Sequence, residues 1–291
     1  MKLLVYGAGV CGSQLAVRLH EAGNDVSLLA RGERLASLRR HGVQLAEGDG
    51  PAVRRVPVPV ADHPAGGYDL IAVVVRTHQI DAVLESLAGV GGDVLFLVNW
   101  AAGPKPLGAV IGHDRVLLGF PAAGGTMDGD VVRYRASSFL TRRVPMAIGE
   151  PGGRTTARLE RVLVTFRGAG INAKAEPRMD AWLKTHAAFA VPLGQAVIAA
   201  GGTRALADDP DAVRGMIRRI RQNLADLPTP TVPGGFVALR TLPEGLLAVM
   251  LRRFLRSPTA AHSGLENTSP ETEAAELERV AEQMRAYAGA R

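Results

Sequence analysis

Cysteine is nearly missing from this 291-residue chain. Cys11 stands alone, so no internal disulfide can form, which fits a reducing compartment. Long apolar runs are missing too: none approaches the roughly 18 residues that a membrane-spanning helix needs. A first strand that starts at Lys2 leaves no room for a signal peptide. These features predict a cytoplasmic protein with no membrane partner. Lysine is scarce: of 34 basic residues only Lys2, Lys105, Lys174 and Lys184 are lysine. In a chain that uses arginine as its general surface cation, each lysine is a candidate for a specific role. The net charge of +6 is spread along the chain, with no basic helix face and no interleaved aromatics, so no nucleic-acid partner is expected. The seven histidines lack ligand spacing, which argues against a metal site.

What is present is a rhythm. Apolar strand-like runs at 2–6, 25–29, 43–47, 53–60, 69–75, 94–98, 115–120, 131–136 and 144–149 alternate with helical patterns at 11–22, 33–41 and 78–88. The run at 69–75 (DLIAVVV) is unbroken, as a central parallel strand should be. A helix at 154–168 and a short strand at 171–176 close this half. From 178 onward only helical patterns remain, at 178–200, 203–225, 242–256 and 271–288, with loops at 227–236 and 257–270. The pattern predicts an α/β chain: an N-terminal Rossmann-type doubly wound sheet over 1–176, then an all-helical domain over 177–291.

The first strand runs into Gly7-Ala8-Gly9-Val10-Cys11-Gly12 and then a helix. In that setting Gly7 makes the tight turn, Gly9 lets a pyrophosphate approach the backbone, and Gly12 lets helix and strand pack. A glycine-rich turn without a ligand is the competing reading. Cys11 inside the motif reads as a small packing residue. After the second strand, where an NAD site carries an acid, the chain has Arg31 in LLARGER. A guanidinium there suits a 2′-phosphate and favours NADP(H), unless Arg31 is simply a solvated helix-start residue.

With GAGVCG, ARGERLASLRRHGV and VRTHQ in hand, the chain resembles the ketopantoate reductase family. The resemblance covers most of the chain and fades after about residue 200. It implies reduction of a 2-oxo acid to the 2-hydroxy acid with NADPH. By position it implies a cofactor site of Gly7, Gly9, Gly12, Arg31, Gln79 and Asn99, with Arg76 where the family usually has lysine. It implies Lys184, in DAWLKTHAAF, as proton donor to the developing alkoxide, with Asn99 as positioner. Lys184 alternatively reads as a snorkelling surface lysine, and Asn99 as a turn residue. His186 reads as a core or cleft-rim histidine.

Three places depart from the family pattern. Trp100 follows Asn99 where glycine is common, so the indole is expected to shape the substrate pocket. Ala188 and Pro192 stand where the lysine helix usually carries asparagines. In the C-terminal signature, Ser263 and Glu273 are stand-ins by spacing for a substrate hydroxyl contact and a carboxylate. Glu271, Glu273 and Glu276 equally suit a helix N-terminus. The expected activity is therefore an NADPH-dependent reductase of a small-molecule carbonyl. A reductase of an imine or larger ketone, and a non-catalytic NADP-binding regulator, stay open. The apolar helix near 242–255 packs inside its domain or forms a homodimer face.

Overall fold

Glycine turns and apolar strands divide the chain into two compact units, residues 1–98 with 103–179 and residues 99–102 with 180–291. The computed structural model describes residues 1–121, 123–134, 145–257, 260 and 270–288.

The first unit begins β1 (Lys2–Tyr6), α1 (Val10–Glu21), β2 (Asp25–Leu29), α2 (Gly32–His41), β3 (Val43–Glu47), β4 (Arg54–Val56) and β5 (Val60–Ala61). It continues through β6 (Leu70–Val73), a 3₁₀ turn at Thr77–Gln79, α3 (Ile80–Leu87), β7 (Asp93–Leu97), α4 (Lys105–Ile111) and β8 (Val116–Gly119). It ends in β9 (Thr126–Asp128), β10 (Val131–Tyr134), β11 (Met146–Gly149), α5 (Ala157–Gly168) and β12 (Ala173–Ala175). The main sheet has the order β12-β11-β8-β7-β6-β1-β2-β5. All its pairings are parallel except β11 with β8. The chain moves outward from β1 through β2 to β5, then returns to β6 on the other side of β1. In register, Tyr6 lies beside both Leu29 and Val73, so the segments starting at Gly7, Ala30 and Val74 leave one edge together. That edge is the switch point where such sheets bind ligands.

The strand expected over 53–60 is two strands in two sheets. Pro57 and Pro59 have no N–H to continue a ladder, and the chain kinks there with Val58 N–H donating to the Val56 carbonyl at 2.9 Å. β4 joins a second sheet of order β4-β3-β10-β9, while β5 reaches the edge of the main sheet. α4 and β9 lie outside the expected pattern. The runs expected at 131–136 and 144–149 extend partly beyond the described residues.

The second unit holds α6 (Met179–Ala200), α7 (Thr203–Asp208), α8 (Pro210–Ala225), α9 (Val237–Thr241), α10 (Glu244–Leu255) and α11 (Pro270–Ala288). The single helix expected at 203–225 breaks at Asp209, which precedes Pro210 and takes an extended conformation. Asp209 then caps α8, its Oδ1 accepting from Asp211 and Ala212 N–H at 3.0 and 2.9 Å. Pro192 lies inside α6 without ending it. It cannot donate to the Ala188 carbonyl, and Asn223 Nδ2 of α8 donates there instead at 3.4 Å. α6 and α11 approach closely at Gly194, where an added Cβ would lie 2.7 Å from a Leu277 methyl. Leu206, Ile217, Ile220, Leu247, Leu251 and Val280 fill the core among these helices.

Candidate functional site

Candidate residues occur in each unit. In the first, the three glycines have different physical reasons. Gly7 has φ +118°, and a Cβ there would lie 2.3 Å from the Val74 carbonyl oxygen. A Cβ on Gly12 would meet the Gly7 carbonyl oxygen at 1.9 Å. Packing alone thus requires both. Gly9 is different: a Cβ there would meet nothing within 4 Å. Its bareness keeps open space over the N-terminal turn of α1, where no side chain caps the helix. Free N–H groups and the positive helix end make that space fit for a pyrophosphate.

Ala8 is held from behind. Its carbonyl accepts from Ser13 Oγ at 3.2 Å and from Arg34 Nε at 3.1 Å. Arg34 also donates to the Asp130 carbonyl at 2.8 Å, joining α2, the glycine loop and the second sheet. Arg34 was not among the expected residues, although its place in the first turn of α2 was a usable signal. Val10 opens α1. Cys11 Sγ donates to the Ala123 carbonyl at 3.2 Å. Burial pushes its thiol up to about 11 against the opposing charge of Arg76, so it is protonated at neutral pH.

Arg31 is exposed at the start of α2. Its Nη2 donates to Tyr6 Oη at 2.5 Å, and its guanidinium lies 5.7 Å from the Tyr6 ring centroid. Arg76 and Gln79 close the turn after β6. Gln79 Oε1 accepts from Arg76 N–H at 3.0 Å, and Gln79 N–H donates to the Arg76 carbonyl at 2.9 Å. The Gln79 side chain therefore has a capping role here, and it is exposed.

In the second unit, Lys184 lies on α6 with its side chain 12% exposed. Its Nζ binds Asp180 Oδ2, one turn earlier, at 2.6 Å. Nζ also lies 5.9 Å from the ring centroid of Tyr287 on α11. Asp180 Oδ1 and Tyr287 Oη are buried with no hydrogen-bond partner among the described residues. Burial, then the charges of Asp180 and Asp226, push the Tyr287 phenol up to about 12, so it remains a neutral donor. An ammonium, a carboxylate and a phenol thus gather where α6 meets α11. The i, i+4 spacing made Asp180 legible; Tyr287 comes from the far end of the chain.

Asn99 is half-buried and Trp100 only 5% exposed. Ala101 N–H donates to Gln283 Oε1 of α11 at 2.8 Å, which fixes this segment within its unit. Glu273 is half-buried in the first turn of α11. Glu276, 3% exposed, is the more deeply buried carboxylate on that helix. Its spacing from Val280, Gln283 and Tyr287 marks the inner face, a periodicity that could have singled it out. His186 stacks on Trp182 at 5.4 Å between centroids, and burial pushes its imidazole down to about 4. The ring is therefore neutral at neutral pH. Ser263 lies outside the described residues. No helix among the described residues is long and apolar enough to cross a membrane.

The chain is similar to known proteins. The family described as "Ketopantoate reductase PanE/ApbA" matches residues 3–142. A 2-dehydropantoate 2-reductase from Mesorhizobium japonicum is 26% identical over 243 residues, covering 71% of this chain and 72% of that protein. Another, from Pyrococcus horikoshii, is also 26% identical, over 62% of this chain and 58% of its own length. Among solved structures, a 2-dehydropantoate 2-reductase from Geobacter metallireducens superposes over 100% of both chains with a TM-score of 0.66 at 19% identity. A D-mandelate dehydrogenase determined with NADH and anilino(oxo)acetate covers 100% of this chain and 99% of its own, with a TM-score of 0.71 at 15% identity. Over residues 3–142 the chain matches the ketopantoate reductase family, and over most of its length it is similar to 2-dehydropantoate 2-reductases in sequence and fold.

Proposed function

We propose that the chain is an NADPH-dependent reductase that turns the carbonyl of a 2-oxo acid, ketopantoate or a relative of it, into a hydroxyl. In this reading residues 1–176 are the NADP(H)-binding domain and 177–291 the substrate and dimerisation domain. Gly7 to Gly12 would hold the pyrophosphate, Arg31 the 2′-phosphate, and Arg76, Gln79 and Asn99 the rest of the nucleotide. When bound, the reduced nicotinamide supplies the hydride.

The chain's own residues supply charge and position. Reduction leaves negative charge on the carbonyl oxygen. Lys184 Nζ–H donates a proton to that oxygen, and before transfer its charge stabilises it. One of its three N–H donors is committed to Asp180, which restricts where the others point. Asn99 positions the substrate, with contacts from Trp100 and Ser263, and Glu273 orients the lysine. The observation that carries the reading is Lys184 itself. It is one of four lysines in an arginine-rich chain, largely buried and ion-paired on α6. A surface cation needs none of this.

A bulkier substrate is the second reading, an aryl oxo acid, an imine or a larger ketone. Ala188 and Pro192 offer no side-chain polar group, and the D-mandelate dehydrogenase fold neighbour was determined with an aryl-bearing oxo acid. Loss of NADPH absorbance with a panel of 2-oxo acids, ketopantoate and aryl oxo acids included, tests both readings. Lys184→Ala is expected to lower kcat about a hundredfold or more while NADPH still binds. Unchanged turnover in that variant would remove Lys184 from the mechanism. NADPH binding with no turnover on any substrate would favour a regulator.

A further inference from the structure

Tyr6 ends β1 and is buried, yet its hydroxyl has two polar neighbours. Arg31 Nη2 lies 2.5 Å from Oη, and Ser86 Oγ of α3 lies 3.0 Å from it. Ser86 Oγ in turn donates to the Val83 carbonyl at 2.8 Å. These contacts admit one direction of protons. Ser86 has a single hydroxyl hydrogen, and Val83 takes it. Tyr6 therefore donates to Ser86, and its lone pairs face Arg31, a group that can only donate. The Arg31 central carbon lies 5.7 Å from the Tyr6 ring centroid, at the hydroxyl end of the ring.

An exposed arginine ordinarily samples many rotamers and loses that freedom when it binds an anion. Here one N–H is tied to the Tyr6 hydroxyl. The other N–H groups of the fork remain for a ligand, and bidentate contact with a phosphate costs little further ordering. We propose that Tyr6, oriented by Ser86, is a positioning residue that presets Arg31 for a 2′-phosphate and thereby sets the preference of this chain for NADPH over NADH. The proposal rests on the NADP(H) reading above. NADH has no 2′-phosphate to receive the preset guanidinium, so the effect belongs to the ratio of the two affinities and not to nucleotide binding in general.

The test is fluorescence titration of the purified full chain with NADPH and with NADH, for the wild type, Arg31→Ala, Tyr6→Phe and Ser86→Ala. The wild type is expected to bind NADPH more tightly, and Arg31→Ala to erase the preference. Tyr6→Phe should weaken NADPH about tenfold, the scale of one hydrogen bond to a charged group, and leave NADH within about twofold. Ser86→Ala keeps the ring and frees the phenol proton to turn toward Arg31. It should reduce NADPH affinity about threefold and leave NADH unchanged. If Tyr6→Phe does not fold, Ser86→Ala carries the decision. An unchanged NADPH-to-NADH ratio in the folded variants, or equal losses for both nucleotides, overturns the proposal. A wild type that binds NADH as tightly as NADPH overturns the NADP(H) reading itself, a failure visible before any variant is compared.

Discussion

Lys184 and His186 stand two residues apart on α6 and meet opposite electrostatic fates. The ammonium has Asp180 at 2.6 Å, whereas desolvation pushes the imidazole down to about 4 from 6.5. The histidine makes stability depend on pH. Its folded pKa is depressed, so the neutral ring is favoured in the fold. Its contribution is complete above 6.5 and is lost as pH falls from 6.5 toward 4, by about 3 kcal/mol in all. His186→Phe keeps an aromatic ring on Trp182 and should flatten that part of the profile. Urea unfolding at pH 7.5 and about pH 5 would read it; an identical pH slope in the variant contradicts the assignment. Asp180 supports an activity prediction of similar locality. Asp180→Asn should lower kcat about tenfold with NADPH affinity unchanged, because the ammonium loses its counter-charge and its direction. Asp180→Glu should recover part of the rate, and steady-state kinetics on both variants decide it.

At the level of elements, α6 makes an unusual accommodation. Pro192 withholds one helix hydrogen bond, and Asn223 of α8 takes the abandoned Ala188 carbonyl at 3.4 Å. Asn223→Ala should cost about 1 kcal/mol in the natural chain. In a Pro192→Ala background the same change should cost close to nothing, since the restored N–H reclaims the carbonyl. A double-mutant cycle by urea unfolding measures the difference, and equal costs in both backgrounds would show that the contact is idle. The same locality explains what the sequence alone revealed. The strand–turn–helix built on Gly7, Gly9 and Gly12 was legible because their spacing after one strand carries the geometry. The Asp180–Lys184 pair was legible in principle from one helical turn. The division of 53–60 between two sheets was not, because strand pairing is non-local and the prolines say only where a ladder stops. Arg34 and Tyr287 were missed for a related reason. Each acquires its role from a partner far along the chain, Ala8 and Asp130 for the first, Lys184 for the second.

The whole molecule poses the question of a second copy. On α10, Leu246, Val249 and Met250 are exposed together at helical spacing, while Leu247, Leu251 and Leu255 on the other side fill the core. A helix apolar on both sides is costly to leave in water. Its charges are asymmetric: Glu244 opens it and Arg252 and Arg253 close it. Two copies of α10 packed antiparallel about a twofold axis would cover the outer face and set Glu244 of one copy beside the basic end of the other. We therefore expect a homodimer built on α10. The net charge of +6 opposes that association at long range, so burial of the apolar face must supply the affinity. Val249→Glu places a carboxylate at the middle of the exposed stripe, far from the core side. It should yield a monomer by sedimentation velocity with an unchanged far-ultraviolet spectrum and little change in melting temperature. A variant that still sediments as the wild-type dimer would move the interface to another surface. A wild type that is monomeric at micromolar concentration would leave this face for a different partner.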